Sequence, residues 1–150
     1  MRFKLVPSVG VNDIKLGDQR DVVNSNFQST MTSVNAMPWD TVPTDYYDGY
    51  WIRFSYDDNN CLESFGFEPE TEAEIVGISL ATYKLKPLLK LISSKGYSIE
   101  QYDDGHYIDR LGLCVFSVNN KKIVAFELYK GKYLERANHA TEMANKHFDL

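Results

Sequence analysis

The sequence predicts an α+β domain. Its antiparallel sheet would come from two tandem helix–β-meander repeats, with the helices packed on one face. Three observations lead there. Runs of alternating apolar and polar residues, bounded by Asn, Asp and Gly, read as half-buried strands. Two stretches with apolar residues at helical spacing each precede such runs. A phrase also recurs: FSYDDNNCLESFGF at 54–67 and FSVNNKKIVAFEL at 116–128. Consecutive strands favour antiparallel pairing, and segregated helices suit one sheet face.

Taken in order, FKLV at 3–6 is an opening strand closed by Pro7. A short helix is expected over about 19–27, with Asp18 as its N-cap; its Val, Asn and Ser residues are weak helix formers, so packing must hold it. Residues 28–45 are rich in Ser, Thr, Asn and Pro and read as a long loop. Tyr50, Ile52, Phe54 and Tyr56 then alternate with Trp51, Arg53 and Ser55 as a strand. Asp57-Asp58-Asn59-Asn60 is a turn, CLESFGFE the returning strand, and EIVGI a third strand beyond the acidic EPETEAE linker.

The second half has the same order. A helix over about 83–94 carries Leu85, Leu88, Leu89 and Ile92 on one face, tolerates Pro87 near its first turn, and stops at Gly96. YSIEQYDDGHYID is a hairpin around Asp104-Gly105, and LGLCVFSVNNKKIVAFELYK a second one turning at Asn119-Asn120-Lys121. A terminal helix places Leu134, Ala137, Thr141, Ala144 and Phe148 on one face, with Glu142 and Lys146 as an i,i+4 pair. The expected organisation is one domain, 1–150, with pseudo-repeats at about 8–76 and 77–150.

Composition narrows the function. The chain has 150 residues, 43% hydrophobic and 13% aromatic, enough to bury about 68–70% of its unfolded surface. Cys61 and Cys114 lack metal or redox spacing and read as reduced core thiols, although a bridge stays open if the two repeats pair closely. The N-terminus lacks the apolar run of a signal peptide, and no stretch has the ~20 apolar residues of a membrane span. A soluble, cytoplasmic protein is expected.

Charge is unevenly placed. Between Asp40 and Glu74 stand ten carboxylates and one base, Arg53, giving −9 in a chain whose total is −5 and leaving +4 for the remainder. Tyr46, Tyr47, Tyr50, Trp51 and Tyr56 fall in the same window. The aromatics would suit base stacking, but the acid around them would repel phosphates, so nucleic acid is not an expected partner.

Catalytic patterns are sparse. His106 lies among Asp103, Asp104 and Asp109, superficially an acid/base cluster, but the setting reads as a solvated turn. His139 and His147 sit two turns apart, too far for a helical metal pair, and read as surface residues. Asp57-Asp58-Asn59-Asn60 lacks the spacing of a calcium loop. No phosphate-binding or nucleophile motif is present, and Gly10 and Gly17 read as turn glycines. No cofactor, no metal and no catalytic residue is expected.

GVNDIKLGDQRDVV, YDGYWIRFSYDDNNCLESFGFE and LGLCVFSVNNKKIVAFELYK together resemble the immunity proteins that accompany polymorphic and contact-dependent growth-inhibition toxins of bacteria. The shared features are an early G-x-x-x-I-x-x-G before a helix, and hairpins with an Asp or Asn turn. The resemblance implies a non-enzymatic inhibitor that binds its cognate toxin, commonly a basic nuclease, in the cytoplasm. The charge reading adds a surface: Asp45, Tyr46, Tyr47, Asp48, Trp51, Asp57, Asp58, Glu70 and Glu72 are the candidate contact residues. A small regulatory or adaptor domain is the alternative, and a hydrolase centred on His106 a third.

Overall fold

The computed structural model describes residues 2–27, 31–35, 37–38, 40, 42–47, 52–131, 142 and 145–146. The tandem helix–β-meander arrangement does not form. The molecule is mostly β, and its helical face is replaced by a second sheet. The described strands are β1 Arg2–Val6, β2 Gly10–Val11, β3 Ile14–Lys15, β4 Met31–Val34, β5 Thr44–Tyr47, β6 Ile52–Tyr56, β7 Leu62–Phe67, β8 Glu72–Ile75, β9 Ile78–Ser79, β10 Glu100–Tyr102, β11 Gly105–Ile108, β12 Leu113–Val118 and β13 Lys122–Tyr129. The helices are α1 Arg20–Ser25 and α2 Leu85–Ser94. The expected terminal helix, with His139 and His147, lies outside the described residues.

Local chemistry accounts for the change. Asn12 takes φ 51, so Gly10–Lys15 folds back as a tiny hairpin where a helix approach was expected. Val76 and Gly77 take φ 45 and 78, breaking EIVGI into two strands, β8 and β9, around a tight turn. The expected loop over 28–45 contains β4 and the start of β5. Helix α1 is only six residues long because Val22, Val23, Asn24 and Ser25 favour helix weakly. Its N-cap position is held by Gln19 without a side-chain cap, while Asp18 instead accepts the Lys15 N–H at 2.8 Å.

The eight-stranded sheet runs β10-β11-β12-β13-β7-β6-β5-β4, antiparallel throughout. The five-stranded sheet runs β3-β2-β1-β8-β9, with β1 and β8 parallel. One apolar core joins them: Phe3, Leu5 and Ile75 from the smaller sheet meet Phe54, Phe65, Phe67 and Phe126 from the larger. Val23 of α1 and Leu85, Leu88 and Ile92 of α2 complete it. The Phe3 and Phe65 rings lie 5.8 Å apart, and Phe65, Phe67 and Phe126 stack in series. Among the described residues no helix is long and apolar enough to cross a membrane.

A local likeness persists between two hairpins. Both β6–β7, closing through residues 57–61, and β12–β13, closing through 119–121, shift register just before the tip, at Ser55/Tyr56 and at Phe116/Ser117. An isolated bridge ties each returning strand to the residue before a helix: Gln19 with Cys61, and Lys84 with Lys122. Aligned this way, Phe54 corresponds to Val115, not to Phe116.

Candidate functional site

The acidic window does not form one acidic face. Its residues are dispersed by the sheet, and several are used internally. Asp45 on β5 is fully buried, where its carboxylate receives both Nε and Nη2 of Arg20 and the Ser33 hydroxyl at 2.8 Å. The Arg20 Nη2 also donates to Ser33 Oγ at 3.1 Å, and its guanidinium lies 5.4 Å from the Tyr56 ring centroid. This closes a polar network between α1, β4, β5 and β6. The hydrogen bond to Asp45 raises the Arg20 pKa despite partial burial. Asp45 is therefore an internal anchor, not a contact residue.

Tyr47 is also internal. Its ring packs on Phe27 and Phe54, and its hydroxyl donates to Asn24 Oδ1 at 2.5 Å. Burial first, then the Asp45 charge, pushes its pKa up to about 12. Tyr56 is raised further by the same causes, so both phenols stay neutral. Tyr46 points the other way and is 38% exposed. Asp48 and Trp51 lie outside the described residues.

Asp57 and Asp58 form the β6–β7 tip. Asp57 Oδ1 accepts the N–H groups of Asn59 and Cys61, at 2.9 and 3.0 Å, and Asn60 takes φ 63 to finish the turn. Asp57 thus shapes the tip, and Asp58 is the carboxylate exposed upon it. The start of α1 is zipped alongside: Gly17 N donates to Leu62 O, Leu62 N to Asp18 O, and Arg20 N to Asn60 O. That seam brings Asp18 and the exposed Asp21 to the same end of the sheet. Neither was expected in the site, because their proximity is created by pairing between distant segments.

Glu70 and Glu72 stand elsewhere. The six residues of β7 separate them from the tip, about 20 Å at a strand's rise per residue. Glu72 pairs with Arg2 at 3.2 Å across the parallel β1–β8 ladder, where Lys4 opposes Glu74. A shallow groove of about 480 Å³ runs over this patch, lined by Arg2, Lys4, Glu72, Glu74 and Ser79. The Glu70 carboxylate lies near the Tyr83 hydroxyl and is the main reason that the tyrosine's pKa is raised. Tyr83 belongs to the second tip, where Ile123 N donates to Tyr83 O and the Lys122 ammonium lies 5.6 Å from the Tyr83 ring centroid. Lys84, Lys86, Lys121 and Lys122 gather at this end, together with Glu68 and Glu70 near Tyr83 and the Asp103-Asp104 turn beside Ser117. The two equivalent tips, one bearing Asp57-Asp58 and the other Lys121-Lys122, lie at opposite ends of the larger sheet.

His106 is not in a solvated turn. It lies on β11, 6% exposed, opposite Val115, and burial lowers its pKa from the ordinary 6.5. Its Nδ1 is unpartnered, as is Ser117 Oγ, which shares its sheet face. Asp103 forms the preceding turn at φ 52, and Asp109 accepts the Tyr129 hydroxyl at 2.7 Å, so these aspartates do not converge on the imidazole. Among the described residues no three His, Cys, Asp or Glu side chains gather as a metal set. Cys61 and Cys114 are reduced and not joined to each other, one half-buried at the acidic tip and the other buried on β12. No protein-family model, curated protein or solved structure matches the chain.

Proposed function

We propose that this chain is a non-enzymatic immunity protein, which binds and neutralises a cognate bacterial toxin, a nuclease with a basic cleft, in the cytoplasm. The observation that carries the reading is the acidic tip. Asp58 is displayed on a turn that Asp57 fixes from within, beside Asp18 and Asp21 at the start of α1. A carboxylate held on a rigid turn loses little entropy on meeting Lys or Arg, and complementary charge speeds encounter. Tyr46 supplies an exposed aromatic on the same sheet. Glu70 and Glu72 are too distant from the tip to join one compact contact and serve a secondary role at most.

The test is co-expression with a candidate toxin domain taken from a neighbouring gene, with growth as the readout. Wild type should restore growth. Asp58→Lys combined with Asp21→Lys should weaken the complex and flatten its salt dependence. Absence of both rescue and complex would sink the reading, and unchanged affinity in the charge-reversed variant would move the contact elsewhere.

The Lys121-Lys122 tip favours a second reading. A molecule with an aspartate-bearing tip at one end and a lysine-bearing tip at the other suits an adaptor that joins two partners, and pull-downs with Lys84→Glu/Lys122→Glu would then lose one partner only. The hydrolase reading draws no comparable support, since the His106 imidazole is buried among core residues.

A further inference from the structure

The larger sheet ends in β4, and this edge differs from every other edge among the described strands. A strand edge exposes unpaired N–H and C=O groups, and soluble proteins blunt such edges with charge, Pro, bulges or shortness. Among the described strands, β3 and β9 are two residues long, and β10 carries Glu100 and runs into Asp103-Asp104. Strand β4, Met-Thr-Ser-Val, has no such protection. All four residues are exposed, their register with β5 is unbroken, and Met31 and Val34 show 40% and 49% of their surface. Residues 22–39 contain no Asp, Glu, Lys or Arg, although a quarter of the chain is charged.

The edge is also held in place. Ser33 bonds both Asp45 and Arg20, so the buried ion pair pins β4 from its inner side. Thr32 lies opposite Tyr46 on the outer side, extending the exposed apolar surface across two strands. The edge is thus a preformed template rather than a frayed end.

We propose that β4 pairs antiparallel with β4 of a second copy of this chain, joining two eight-stranded sheets about a two-fold axis at Thr32 or Ser33. Those centres keep each sheet face continuous, because antiparallel partners share a face. Charge selects the occupant. Two molecules of net charge −5 repel over most of their surfaces, and the uncharged 22–39 run is where their approach costs least. Self-pairing of an antiparallel strand sets central residues against their own kind, which a charged strand forbids; here it sets Thr against Thr or Ser against Ser, pairs that stabilise a ladder. A dissimilar partner gains no electrostatic selection from a neutral strand. An isologous contact of this kind also closes after two copies.

The test is sedimentation velocity across a concentration series, with circular dichroism to confirm folding. Wild type should shift from monomer to dimer as concentration rises. Thr32→Lys and Thr32→Glu should each stay monomeric, and their equimolar mixture should recover the dimer. Backbone hydrogen exchange in wild type gives a readout that needs no variant: protection at 31–35 should increase with concentration. A wild type that stays monomeric, a folded Thr32→Lys that dimerises normally, or exchange at 31–35 indifferent to concentration would each overturn the proposal.

Discussion

Asp45 and His106 occupy equivalent positions in the two halves of the larger sheet. Each is buried, and each lies opposite the matching residue of the neighbouring strand, Phe54 in one case and Val115 in the other. The surroundings differ: Asp45 meets Arg20, whereas His106 keeps an unpartnered Nδ1. One half balances a charge in its interior, and the other accommodates a neutral ring.

The ion pair makes the first prediction. Asp45→Asn leaves the guanidinium facing a neutral amide with no carboxylate to balance it. Breaking a buried pair from one side costs about 3–5 kcal/mol, far more than losing an exposed one. Urea denaturation should show that loss, whereas Glu72→Gln, at the exposed Arg2 pair, should cost less than about 1 kcal/mol. Equal effects would contradict the internal role given to Asp45.

His106 predicts a pH dependence. Burial disfavours the imidazolium, so the folded pKa lies below the unfolded value. The unfolded chain then binds more protons over the intervening range. Stability from this group is complete above about pH 6.5 and declines as pH falls through the lowered folded value. Between pH 7 and pH 5, wild type should lose more stability than His106→Gln. Parallel losses in the two proteins would assign the acid response to other groups.

Two glycines predict different costs for the same substitution. A β-carbon on Gly10 would stand 2.0 Å from the Ile14 carbonyl oxygen, which is backbone and cannot withdraw. On Gly66 it would meet Arg53, whose guanidinium carbon lies 2.5 Å from that point, and a side chain can move. Gly10→Ala should therefore destabilise by about 1–3 kcal/mol, and Gly66→Ala by less. Adding Arg53→Ala should remove most of the Gly66→Ala penalty, a coupling that a double-mutant cycle reads directly.

The thiols should separate kinetically. Cys61 is half-buried at the acidic tip, its Sγ accepting from Gln19 Nε2 at 3.0 Å, while Cys114 is 1% exposed. A water-soluble thiol reagent should modify Cys61 first and Cys114 only on unfolding. Simultaneous modification under native conditions would show that β12 opens readily.

How much of this was legible in the sequence varies with the element. Helix α2 and the β12–β13 hairpin follow their expected positions, because Leu85, Leu88, Ile92 and the Asn119-Asn120 turn are strong local signals. Strand β4 has the composition of a loop because an exposed edge need not carry an alternating apolar face. The doubled Phe-Ser phrase misled by one residue. Phe54 is fully buried, but Phe116 lies on the opposite face against Tyr107, and a single-residue slip reverses every side chain. The acidic window was visible as composition, but its division was not. Arg20 is far from Asp45 in sequence, and only the sheet reveals that the two meet.

The parallel ladder between β1 and β8 has a consequence for synthesis on the ribosome. Strand β1 sits at the centre of the smaller sheet, yet its partner along one whole side is residues 72–75. While the first half of the chain emerges, Phe3 and Leu5 have no β8 to cover them, and the nascent segment must wait with apolar side chains uncommitted. That interval, set by translation speed, is when this protein is most exposed to mispairing or chaperone capture.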